Sequence, residues 1–167
     1  MREEEERLMH VRLYVRSAIV SVMLVPLLVL PVWAQTTKEQ KYLYTIGVLS
    51  AQGAILTYTS IGAVADGYAS HAYNNSQALH LLETFVETSS RVKESLNALM
   101  TANLVAGTDI HYINILSTAY NHLIAEATAF QLFIRTGDQA HVEVYEANRQ
   151  QASNVIEQIF KLAREAR

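Results

Sequence analysis

The sequence predicts an all-α protein: an up-down-up-down four-helix bundle preceded by an N-terminal signal peptide. Three observations lead there. Both prolines, Pro26 and Pro31, lie in the first 34 residues and glycines are sparse afterwards, so little interrupts a helix over residues 35–167. Apolar residues in that stretch recur at spacings of three and four, which places them on one helix face. Residues that start and stop helices stand at three junctions within it. A stretch of this length supports one core, so residues 35–167 are read as a single domain.

Residues 1–34 have the three parts of a secretory signal. Arg7, His10, Arg12 and Arg16 form a basic region, and residues 18–32 are mostly apolar. Val32 and Ala34 supply the small residues of a cleavage site, so the cut falls between Ala34 and Gln35. The basic flank keeps the N-terminus cytoplasmic. The expected location is exported, periplasmic or secreted. Left uncleaved, residues 17–34 would anchor the chain in the inner membrane, since the uncharged stretch approaches the roughly 20 residues of a spanning helix. Pro26 and Pro31 disturb such a helix and favour cleavage. The acidic run Glu3-Glu4-Glu5-Glu6 is odd for a signal; translation from Met9 in place of Met1 is one explanation. Sequencing of the precursor that recovered Arg2 or Glu3 would exclude that start.

The first helix is expected over 37–72. Thr36-x-x-Glu39 and Thr37-x-x-Gln40 each fit a capping box, in which side chains satisfy free backbone amides. No charge occurs between Lys41 and Asp66. Tyr44, Val48, Ala51, Ile55 and Tyr58 fall on one face, and Ile46, Leu49, Leu56 and Ala63 toward another. A helix apolar all round is buried or in a membrane. Gln52 and several Ser and Thr residues make this one polar for a span, while Gly47, Gly53 and Gly62 admit close backbone approach. It is read as a core helix that also faces a second copy in a homodimer. The alternative is a membrane hairpin of 17–34 and 42–65.

Residues 73–76 form the first turn, because asparagine tolerates the left-handed backbone at a helix end. The second helix is expected over 77–103, with Ala78, Leu81, Leu82, Phe85, Val86, Val92, Leu96, Leu99 and Met100 on its inner face. Gly107-Thr108-Asp109 breaks the pattern and caps a third helix over 109–136. Ile113, Leu116, Tyr120, Leu123, Ile124, Ala127 and Ile134 carry its stripe. Gly137 ends it, and Asp138 caps a fourth helix over 138–166. Val142, Tyr145, Ala152, Val155, Ile156, Ile159 and Ala163 form the last stripe. Short connections force neighbouring helices antiparallel.

Several function classes fall away. With no cysteine, the chain has no disulfide, thiolate metal site or c-type haem. A net charge of −3 gives no electrostatic reason to bind nucleic acid. None of His71, His80, His111, His122 and His141 has a glutamate three residues earlier, the spacing of a carboxylate-bridged metal bundle. No nucleophile elbow or phosphate loop occurs. No enzyme activity, cofactor, metal or catalytic residue is expected. Asp66 is the first charge after the neutral stretch, and Arg149 sits near the fourth stripe between Tyr145 and Ala152. Either is a rim residue with its stem packed, or Asp66, Tyr145 and Arg149 line a polar pocket for a small anion or amino-acid-like ligand. Tyr58, Tyr112 and Tyr120 would complete that pocket or belong to the core.

The run Phe133-Ile134-Arg135-Thr136-Gly137-Asp138, followed by Tyr145 and a helix to Ile159, resembles the extracytoplasmic four-helix sensor modules of bacterial chemoreceptors and sensor kinases. About 25 residues match closely and the rest only in helix count. Such receptors carry a second membrane helix and a signalling part beyond the sensor, and neither is expected here. The resemblance therefore implies a free-standing sensor-like module, and it assigns no ligand residues. The expected role is a non-enzymatic binding or interaction module of the bacterial cell envelope, with an envelope protein or a second copy as partner. A small-molecule sensor or carrier is the alternative.

Overall fold

A computed structural model of the chain describes Lys38, residues 41–105 and residues 107–165. The signal segment, its cleavage point at Ala34 and Gln35, and the Thr36 and Thr37 caps lie outside the described residues. The chain divides into two compact units, Met1–Tyr44 and Thr45–Arg167. The second is described here.

Among the described residues the structure is all helical, with four helices and no strand, consistent with a four-helix bundle. They are α1 Lys41–Ala69, α2 Asn75–Thr101, α3 Thr108–Thr136 and α4 Gln139–Glu165. The contacts give the directions. Tyr112 near the start of α3 meets Gly47 in the first part of α1, and Phe130 in the last part of α3 meets Tyr68 near the end of α1. Those two helices run the same way. Tyr145, early in α4, meets Phe130, late in α3, and Arg149 meets Glu126, so α4 runs against α3.

The ends of α1 and α2 differ from the sequence expectation. The left-handed residue after α1 is His71, at φ 61, and not an asparagine of the 73–76 turn. The backbone turns there through bonds from the Ser70 amide to Asp66, the His71 amide to Tyr68 and the Tyr73 amide to Gly67. The helix therefore ends at Ala69, short of residue 72. Asn74 serves the following helix instead: its side chain accepts from the Gln77 amide, and the Gln77 side chain accepts from the Asn74 amide. This capping box starts α2 at Asn75, ahead of residue 77. Asn103 takes the left-handed conformation at φ 53, so α2 ends at Thr101 and not at residue 103. Gly107 is the N-cap of α3, which begins at Thr108, one residue ahead of 109. Gly137 closes α3 at φ 74, and the Asp138 carboxylate accepts from the Ala140 amide at 2.9 Å, capping α4 one residue later than 138.

The core follows the apolar stripes. Ala78, Leu82 and Leu96 of α2 are buried, as are Leu116, Tyr120, Leu123 and Ala127 of α3 and Ala152, Ile156 and Ile159 of α4. Burying such a large apolar side chain contributes about 1.5–3 kcal/mol. From α1, Ala51, Ala54, Ile61 and Val64 point inward. Gly53 lets the α3 ring of Tyr120 close on the α1 backbone. A Cβ at Gly53 would lie 2.7 Å from the Tyr120 hydroxyl, which donates to the Ser50 carbonyl at 2.8 Å. Burial pushes the Tyr120 hydroxyl up to about 12, so it stays a proton donor.

The opposite face of α1 is exposed. Leu49 and Leu56 are 61% and 59% exposed, and Ile46, Gln52, Thr59 and Ala63 share their side of the helix. Of the face expected to hold Tyr44, Val48, Ala51, Ile55 and Tyr58, only Ala51 is buried; Ile55 and Tyr58 are half-buried, and Tyr44 and Val48 are exposed. By length and composition α1 can also cross a membrane, with a mean hydropathy of 1.3 over its most apolar stretch.

Candidate functional site

One buried charge organises the contact of α1, α3 and α4. Glu126 lies on α3 between Leu123 and Phe130, on the face that forms the core, and its side chain is wholly buried. Arg149 projects from α4 one turn after Tyr145 and donates through Nη1 to Glu126 Oε1 at 2.8 Å. The same nitrogen lies 3.4 Å from the Tyr58 carbonyl oxygen of α1, which accepts from it. The guanidinium carbon stands 4.4 Å from the centre of the Tyr58 ring, a cation–π distance. One arginine thus ties three helices together.

Gly62 makes room for this side chain. A Cβ there would fall 2.5 Å from Arg149 Nη2 and 2.9 Å from Nη1. Any other residue at position 62 pushes the guanidinium off Glu126 or opens the α1–α4 contact.

The electrostatics are unbalanced. Glu126 Oε2 is buried with no hydrogen-bond partner among the described residues. Burial pushes the Glu126 carboxyl up to about 7, against the hydrogen bond and charge of Arg149, which pull it down; Glu146 adds to the rise. Near neutral pH the carboxyl is therefore divided between its charged and neutral forms. Burial opposes the charge on Arg149, but its bond to Glu126 and the neighbouring Tyr145 and Tyr58 outweigh that and hold its pKa above the ordinary value. Burial also pushes the Tyr145 hydroxyl up to about 12.

Arg149 forms the floor of an open groove of about 840 Å³ between the late part of α1 and the early part of α4. Asp66, Tyr145 and Arg149, the residues singled out from sequence, all line it. Tyr68 and Phe133 form the aromatic side, with ring centres 6.4 Å apart, and Tyr68 stands edge-on to Phe130 at 5.8 Å. Tyr73 folds back over the last turn of α1, where a Cβ at Gly67 would meet its ring at 2.5 Å. Two tyrosines considered for the pocket lie elsewhere: Tyr120 is core, and Tyr112 packs on Gly47. Tyr58 takes part through its ring and carbonyl under Arg149.

Glu126 was missed in the sequence reading although a signal existed. Leu123, Glu126, Ala127 and Phe130 share one face at spacings of three and four, so a glutamate interrupts an apolar stripe. Among the described residues no three of His, Cys, Asp and Glu come together as metal ligands. His122 Nδ1 instead lies 3.2 Å from Asn148 Oδ1 across α3 and α4.

No protein-family model, curated protein or solved structure matches the chain.

Proposed function

We propose that this chain is a non-enzymatic binding module of the bacterial cell envelope, exported by its N-terminal segment, whose up-down-up-down bundle pairs with a second copy through α1. The exposed face of α1 carries this reading. Ile46, Leu49 and Leu56 are exposed along a helix that has no charge between Lys41 and Asp66. Large apolar side chains exposed in a row mark association surfaces. An uncharged face meets its own copy without like-charge repulsion, as an interface between identical chains requires.

Sedimentation of the full chain over a range of concentrations tests it. A dimer is expected, converted to monomer by Leu49→Glu with Leu56→Glu at unchanged helix content. A monomer at every concentration overturns the homodimer. Recovery of α1 in the lipid phase, protected from labelling at position 56, would favour the 17–34 and 42–65 hairpin instead.

A second reading, a free-standing small-molecule sensor or carrier, is favoured by the groove that Asp66, Tyr145 and Arg149 share. Its volume is that of a small-ligand site. The two readings are compatible, since the groove and the Leu49–Leu56 face involve different stretches of α1. The likeness of the Thr136-Gly137-Asp138 turn to sensor modules supports it as well.

A further inference from the structure

We infer that the α1–α4 groove takes an organic cation, a primary or quaternary ammonium, and not the anion that an arginine in a groove would suggest. The inference rests on the reading of the groove as a small-molecule site. Among the described residues Arg149 is the only Arg or Lys lining it, and its guanidinium is already engaged on the inner side. Nη1 is held by Glu126 and the Tyr58 carbonyl, and the guanidinium face is covered by the Tyr58 ring.

The remaining charges on the groove walls are Asp66 of α1 and Glu146 of α4. Both are exposed, and neither belongs to an ion pair among the described residues. They stand on two different helices, so both walls of the groove carry a carboxylate. Beside them stand the half-buried rings of Tyr68 and Phe133. Aromatic faces attract cations, and quaternary ammonium groups seat against such rings. An incoming anion would meet two carboxylates that join no ion pair among the described residues, against a single guanidinium already engaged by Glu126 and the Tyr58 carbonyl. An ammonium finds opposite charge on both walls and aromatic rings in the same groove, a complementarity that selects its sign.

Thermal melting of the full chain with tetramethylammonium chloride, putrescine or sodium glutarate, each against sodium chloride at equal ionic strength, tests this. The two ammonium probes are expected to raise the melting temperature saturably beyond the salt control, and glutarate is not. Asp66→Asn with Glu146→Gln is expected to weaken the ammonium effect by about tenfold or more, while the ligand-free melting temperature stays near that of the parent chain. Tyr68→Leu is expected to weaken tetramethylammonium more than putrescine. A shift with glutarate alone overturns the cation and leaves the small-molecule site standing. No shift with any probe removes both. An ammonium shift that survives Asp66→Asn with Glu146→Gln assigns the binding elsewhere and overturns the inference.

Discussion

Glu126 and Arg149 make the stability of this protein depend on pH. The folded Glu126 carboxyl holds its proton to about pH 7, against an ordinary value of 4.5. Between those values the folded chain binds the extra proton, so acid favours folding. The contribution is fully present below about pH 4.5 and is lost as pH rises through about 7. The melting temperature should therefore climb as pH is lowered from 8 to 5, and Glu126→Gln should flatten that slope. Arg149→Met removes the side chain that pairs with the buried carboxylate. Denaturant unfolding at pH 8 should show a loss of about 3–5 kcal/mol, and a smaller loss at pH 5, where the carboxyl is protonated. Gly62→Ala acts on the same pair by steric force. Its Cβ would enter the space of Arg149 Nη2, and overpacking of this kind costs about 1–3 kcal/mol. Combined with Arg149→Met, the Gly62→Ala penalty should largely vanish, which a double-mutant cycle reads directly.

Helix existence was legible because period and caps agree along α2, α3 and α4. Boundaries were less so, because several residues compete for each turn. At the α1–α2 junction the sequence offers two asparagines, yet His71 takes the left-handed position. Asn74 is drawn off by Gln77, which stands at the spacing that completes a reciprocal cap. Asn74→Ala removes the side-chain acceptor of the Gln77 amide and should cost about 1 kcal/mol, measured as a shift of the denaturation midpoint. In α1 the period is ambiguous, since apolar residues surround the helix. Its inner face is instead marked by small residues, Gly47, Ala51, Ala54 and Gly62, where ring and guanidinium groups of α3 and α4 approach the backbone. The larger Leu49 and Leu56 face outward. Size alone does not mark the inner face of this helix, since Ile61 packs inward while Leu49 and Leu56 do not.

The proposed assembly makes a separable prediction about stability. Leu49→Glu with Leu56→Glu should leave the monomer's own unfolding within about 0.5 kcal/mol, because exposed sites away from caps and cores respond weakly. If the chain dimerises, its melting temperature should instead fall with dilution, and these substitutions should remove that dependence. The all-helical class, the count of helices and most of their inward stripes could be read from residue order, because helix periodicity and capping act over three or four positions. Asp66, Tyr145 and Arg149 could be named as polar residues of interest for the same local reason. Their meeting in one groove, the commitment of Arg149 to Glu126, and the room that Gly62 leaves for it depend on residues up to 91 positions apart in the chain. No local pattern carries such distances. Which oxygen of Glu126 is paired, and which groove carboxylates join no ion pair among the described residues, follows from the packing of three helices around a single guanidinium, and so only the tertiary structure decided it.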